Sequence, residues 1–167
     1  MKQIFTIGYE GANLGDFVAT LQKANVDVLL DIRELPISRR RGFSKTALRE
    51  ALQAGGLDYR HERQLGSPKD LRHRLREDKD YRQFFRAFDR HLAKQTTLLE
   101  QLTEELEGNI ALMCYERDYH LCHRSAVAQA LATLTDLTPN HLGVEHHEPR
   151  KAHHPAHPYL GEGLSPA

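Results

Sequence analysis

Residues 26–32, Val-Asp-Val-Leu-Leu-Asp-Ile, form a nearly continuous apolar run. A strand with one wet face alternates apolar and polar residues. A run with little alternation is buried on both faces, as is a central strand of a parallel sheet. Parallel neighbours need long crossovers, and the flanking sequence reads as helices of the right length. Ile4-Phe5-Thr6-Ile7 reads as a strand, followed by a turn from Gly8 to Gly11. Asn13 can cap the next helix, with Asp16 at the third helical position reaching back. Leu14, Phe17, Val18 and Leu21 give that helix an apolar face. After the apolar run, a basic loop from Arg33 to Gly42 leads to a helix carrying Ala47, Leu48, Ala51 and Leu52. Ser44 is its expected cap, and Gly55-Gly56 closes it. Leu57 to His61 reads as a third strand.

Further on, Tyr81, Phe84, Phe85, Phe88 and Leu92 fall at helical spacing, as do Leu98, Leu99, Leu102 and Leu106. Such stripes are core faces. Ile110 to Met113 reads as another buried strand, Ala126 to Leu131 as a helix, and His141 to Val144 as a weak last strand. The repeated strand–helix units predict one α/β domain over residues 1–144. Its sheet is expected to be mostly parallel, of about four to five strands flanked by helices, with a helical insertion in the middle. From Glu145 the chain is rich in His and Pro and poor in apolar residues, which predicts a mobile tail over 145–167.

At 167 residues the chain is long enough to bury a real core. The 23 basic and 23 acidic residues cancel, which argues against a nucleic-acid coat protein held by bulk charge. Anion recognition must come from local clusters. Sixteen of the basic residues are arginine, which binds phosphate and carboxylate in bidentate fashion, though a GC-rich genome gives the same bias. No apolar run approaches the ~18–20 residues that span a bilayer. The first residues are too soon interrupted for a signal peptide. Two cysteines without a secretory segment predict a cytoplasmic protein with free thiols, no structural disulfide and no membrane partner.

The stretch from Cys114 to Ser125 holds both cysteines and links a strand to a helix start, where α/β proteins place ligands and catalytic groups. Cys122, near the helix start and followed by Arg124, is the better nucleophile candidate, because a helix N-terminus and a guanidinium both stabilise a thiolate. Cys114 is a second candidate or a small buried core residue. Glu116 reads as a general acid/base or as the ion-pair partner of Arg124 or Arg33. His123 reads as a proton relay or a capping residue. Arg124 and Ser125 form an expected anion cradle at the helix start.

Loops leaving strand ends share one edge in a parallel sheet, so three loops are expected to meet there. They would bring Tyr9, Asp31, Arg33, Ser38, Arg39, Arg40 and Arg41 to the site as substrate-binding residues. The competing reading of Arg39 to Arg41 is a solvated charge run. A zinc set of Cys114, Cys122, His120 and Glu116 or His123 is disfavoured, because the cysteine spacing is unlike the short Cys-x2–4-Cys knuckle. No metal or cofactor is therefore assigned. The tail histidines His146, His147, His153, His154 and His157 could collect metal nonspecifically.

Four segments together resemble the domain-of-unknown-function 488 family. They are Thr6-Ile7-Gly8-Tyr9-Glu10-Gly11; Asp31-Ile32-Arg33 with Pro36 and Ser38 to Ser44; Gln64-Leu65-Gly66 with Tyr81 and Phe85; and Cys114-x-Glu116 with Cys122-His123-Arg124. Ser67 stands where the family usually has a second glycine. The resemblance implies an α/β domain and no settled activity. Asp31-x-Arg33 and Arg124-Ser125 are also similar in outline to rhodaneses and cysteine-loop phosphatases. Those loops, however, place the cysteine where this chain has Tyr119, which argues against their chemistry.

The residues support three functions. The first is an enzyme, a cysteine- or glutamate-dependent transferase or hydrolase, acting on a phosphate-bearing substrate such as a nucleotide or nucleic-acid part. The second is a non-catalytic nucleic-acid-binding module, helped by Arg72, Arg74, Arg76, Arg82 and Arg86. The third is a thiol or metal sensor. The set of two cysteines, a histidine and a glutamate in one loop favours the enzyme.

Overall fold

The apolar run becomes an inner strand, β2 (Val28–Asp31), buried along its whole length. The computed structural model describes residues 1–146. Strand β1 (Gln3–Gly8) leads to helix α1 (Leu14–Lys23), and β2 leads to α2 (Lys45–Ala54) and β3 (Asp58–His61). The helical insertion is α3 (Lys69–Asp78), α4 (Tyr81–Ala93) and α5 (Thr96–Glu105). Then come β4 (Asn109–Cys114), α6 (Arg124–Thr135) and β5 (Asn140–Leu142). All five strands are parallel, in the order β3-β2-β4-β1-β5. The expected α/β domain with a parallel sheet is what forms.

Helices cover both faces. On one face Phe17 and Leu21 of α1 and Leu48 and Leu52 of α2 pack on Ile7, Leu29 and Met113. On the other, Phe88 of α4, Leu102 of α5, and Val127 and Leu131 of α6 pack on Ile4, Leu30 and Leu112. The connections after β1 and β2 thus leave over one face, and the connection after β4 leaves over the other. Because β4 lies between β1 and β2, the carboxyl end of β4 sits where the connections diverge. That divergence opens a crevice, the usual ligand position in such sheets. Register puts Gly8 beside Cys114 and Asp31 beside Met113, so the three loops start at one level.

Asn13 caps α1 as expected, accepting the Asp16 N–H at 2.8 Å while its amide donates to the Asp16 carboxylate. Ser44 precedes α2 but does not cap it with its side chain. Its hydroxyl instead accepts the Ser38 N–H at 3.1 Å and donates to the Ser38 carbonyl, closing the basic loop on itself. The last strand is β5, which starts one residue before the expected stretch and stops short of Gly143 and Val144. Of the predicted tail, Glu145 pairs with Lys23 at 2.9 Å and His146 lies 3.5 Å from Asp16. The tail from residue 147 on, with His147, His153, His154 and His157, lies outside the described residues. No helix of the described residues is long and apolar enough to cross a membrane.

Candidate active site at the carboxyl edge of the sheet

Asp31 ends β2 fully buried, and its carboxylate fixes the loop that follows. Arg33 grips both oxygens, Nε to Oδ1 at 2.9 Å and Nη2 to Oδ2 at 2.7 Å, and the Tyr59 hydroxyl donates to Oδ2 at 2.6 Å. Arg33 Nη1 reaches on to the Phe43 carbonyl at 2.7 Å and the Tyr9 hydroxyl at 3.2 Å. Burial alone would lower the Arg33 pKa, but the hydrogen bonds and charge of Asp31, with help from Tyr9, hold it above its ordinary value. Burial and then Asp31 push the Tyr59 phenol up. The Asp31-x-Arg33 pair therefore folds the basic loop back onto the first loop, where Tyr9 stacks on Phe43 at 4.5 Å and meets Tyr115 edge-on.

The second cluster lies between β4 and α6. Cys114 ends β4, and residues 115–121 make an excursion that closes in a 3-10 turn at Tyr119–Leu121. This turn brings Cys122 back beneath Cys114, and the two form a disulfide. The expectation of free thiols is corrected here. The intervening loop does not separate the cysteines, because it returns to its starting point.

Arg124 opens α6 and turns inward. Its Nε donates to Thr6 Oγ1 at 3.2 Å, Nη1 faces Cys114 Sγ at 3.2 Å and the Glu116 carbonyl, and Nη2 donates to the Arg117 carbonyl at 3.1 Å. Burial pushes its pKa down to about 10, although Glu116 and Asp118 oppose this. Arg124 remains a cation at neutral pH, with every nitrogen facing an acceptor of the protein. Ser125 Oγ donates to the Cys122 carbonyl within the same first turn.

His123 is buried and its Nε2 faces the Ile32 carbonyl at 2.9 Å. A carbonyl only accepts, so Nε2 carries the proton and Nδ1 presents its lone pair, 3.8 Å from Cys122 Sγ. Burial, against the Ile32 bond, lowers its pKa to about 4. Glu116 Oε2 lies 3.4 Å from Cys114 Sγ. Burial raises the Glu116 pKa, more than its own backbone bond and Arg124 lower it. His120 points away, bonded to Asp118 Oδ1 at 2.9 Å.

A cavity of about 860 Å³ opens over these groups. Tyr9, Cys114, Glu116 and His123 line it together with Arg33, Ser38, Arg39 and Arg40. All three expected loops thus contribute. Asp31, Cys122, Arg124 and Ser125 lie behind the wall, and Arg41 is exposed away from it. The far wall is α3, with Arg72, Arg76 and Lys79, the last at its C-terminal boundary. Lys79 was missed in the sequence. Its signal was the 72, 76, 79 spacing, which places three cations on one helical face. Arg72 bonds the Ser67 carbonyl and lies 3.3 Å from Glu34, a second acid on the rim. Among the described residues, the side chains of Arg39, Arg76 and Lys79 have no ion pair.

Fold and site together define an α/β domain with a cation-walled cavity at the carboxyl edge of a parallel sheet. Residues 13–131 match the family described as Domain of unknown function DUF488, and the chain belongs to that family. The matched span holds the Asp31–Arg33 pair, α3 and the Cys114–Arg124 cluster, while Tyr9 lies just before it. Comparisons with curated proteins and with solved structures gave no match.

Proposed function

We propose that this protein is an enzyme acting on a phosphate-bearing substrate, a nucleotide or a part of a nucleic acid, held in the cavity at the sheet edge. The observation that carries this reading is the cavity's division of labour. Among the described residues Arg39, Arg76 and Lys79 have no ion pair of their own, and they line the cavity together with Cys114, Glu116 and His123. Guanidinium and ammonium groups without a partner recognise phosphate oxygens. Glu116, whose pKa burial raises, is the proton donor or acceptor, since a raised carboxyl pKa moves the group toward the range in which it both gives and takes protons. Arg33 and Arg124 act by positioning, one holding the basic loop and the other the loop with Glu116.

The test is calorimetric titration with inorganic phosphate, mononucleotides and short oligonucleotides, on wild type and on Arg39→Gln/Arg76→Gln/Lys79→Gln. Saturable binding that weakens at least tenfold in the triple variant is expected. Turnover of the bound ligand should be lost in Glu116→Gln while binding persists. Equal binding by wild type and triple variant, or no binding of any of these ligands, refutes the proposal.

A further inference from the structure

We propose that the reduced cysteine pair, with His123, forms a zinc site that opens into the cavity beside Glu116. Cys114, Cys122 and His123 are all buried, and their ligand atoms lie within 4.8 Å of one another. Tetrahedral zinc, with Zn–S about 2.3 Å and Zn–N about 2.0–2.1 Å, places its sulfur and nitrogen ligands about 3.6 Å apart. Cys122 Sγ and His123 Nδ1 already stand 3.8 Å apart. The cysteine Cα atoms are 7.4 Å apart, wider than the roughly 4.4–6.8 Å usual for bridged cysteines. Once the bond is reduced, the sulfurs can separate to either side of an ion without displacing the backbone.

The surroundings suit a metal as well as the ligand atoms do. A zinc-binding histidine typically donates its second ring N–H to a carbonyl or carboxylate, and His123 does so to Ile32 at 2.9 Å. The free Nδ1 is therefore the ligand atom. Two thiolates neutralise Zn2+. Arg124 supplies a donor to each sulfur, its Nη1 at 3.2 Å from Cys114 and its backbone N–H at 3.4 Å from Cys122. Three protein ligands leave the fourth tetrahedral position open, as in catalytic rather than structural zinc sites. Cys114, His123 and Glu116 all line the cavity, so that position faces it. The spacing argument against zinc fails because the loop 115–121 returns to its origin, making two distant cysteines as close as those of a knuckle.

The site needs the dithiol. A water-soluble phosphine reduces the disulfide: phosphorus takes the oxygen of one water, becomes the phosphine oxide, and the sulfurs receive its two protons. Zinc then displaces both thiol protons to solvent. This inference does not depend on what the cavity binds.

The full chain, reduced with phosphine without oxygen, is titrated with Co2+ and then Zn2+. One equivalent of Co2+ should give the thiolate-to-metal charge-transfer and strong visible bands of a tetrahedral site, which Zn2+ abolishes. Cys114→Ser, Cys122→Ser and His123→Gln should each weaken binding at least a hundredfold, while Glu116→Gln still binds. Arg39→Gln/Arg76→Gln/Lys79→Gln should also keep the metal, which separates this inference from the anion-binding proposal. The tail histidines are present throughout, so a cobalt spectrum that survives in Cys114→Ser/Cys122→Ser overturns the assignment. A second readout needs no variant. Zn2+ should protect both cysteines of the reduced wild type from alkylation, and labelling at the same rate with and without Zn2+ overturns the inference.

Discussion

Arg124 offers the sharpest test of how the site is built, because its inward fork contradicts the simple picture of an arginine waiting for an anion. The guanidinium is 1% exposed and faces Thr6 Oγ1, Cys114 Sγ and the carbonyls of Glu116 and Arg117. In Arg124→Ala the two loop carbonyls lose their donor, at ~1–3 kcal/mol for each buried acceptor left unpaired. The emptied volume adds to the loss, and relief from burying a cation subtracts from it. The expected net cost is about 3–5 kcal/mol, the range for breaking a buried charged network. For a domain of this size that lowers Tm by roughly 2–4 °C per kcal/mol, or about 6–20 °C in all. Arg124→Lys keeps the charge but not the fork, since one ammonium cannot span acceptors on β1 and on the loop after β4. It should lose about 2 kcal/mol or more. Exposed Arg39→Ala should stay within about 0.5 kcal/mol of wild type. Urea unfolding of the three variants decides. Arg124→Lys as stable as wild type, or Arg124→Ala no worse than Arg39→Ala, refutes the positioning role.

His123 gives a pH signature with a definite sign. Its folded pKa of about 4 lies below the ordinary 6.5, so the unfolded chain binds the proton first as pH falls. Stability should therefore drop between about pH 6.5 and 4, by at most about 3 kcal/mol, with Glu116 opposing because its pKa is raised. Urea midpoints at pH 7 and 4.5 should show a smaller drop for His123→Gln; an identical drop would mean that His123 is not buried neutral. Asp31→Asn leaves the Arg33 cation buried without its counter-charge and should cost about 3–5 kcal/mol by chemical denaturation. A loss below about 1 kcal/mol would contradict the pairing described. Gly8→Ala places a Cβ against the Glu116 carbonyl and near Arg124 Nη1, so a loss of about 3 kcal/mol in thermal unfolding is expected. Wild-type stability there would mean that the loop sits farther from β1.

The layout of the sheet was legible because local signals agreed with the fold. The run at 26–32 holds the fully buried strand Val28–Asp31, and Asn13 with Asp16 marks a helix start that forms as read. Ser44 was misread because a cap is a competition: the Ser38 backbone offered its hydroxyl both a donor and an acceptor. The meeting of three loops followed from strand direction alone, and Tyr9, Arg39, Cys114, Glu116 and His123 do share a cavity. Which way each side chain points was not legible. Arg124 and Arg33 look like anion ligands in sequence, yet buried carbonyls and Asp31 claim their donors. The convergence of Cys114 and Cys122 was hidden as well, because spacing along the chain says nothing of a loop that doubles back.

Strand order also bears on how the chain is made. Strands β1 and β2 are never hydrogen-bonded to each other, since β4 lies between them. A nascent chain that has produced its first hundred residues thus carries two strands whose shared neighbour does not yet exist. Ile4 and Leu30, whose final cover includes Val127 and Leu131 of α6 as well as α4 and α5, stay incompletely covered until later residues emerge. Synthesis leaves a window in which open strand edges and bare apolar surface coexist, the condition under which chains associate wrongly or engage chaperones. The cavity floor waits for the same stretch of chain, since it takes Cys114 from the end of β4 and His123 from the residue before α6, so ligand capacity and the cover of the sheet arrive together.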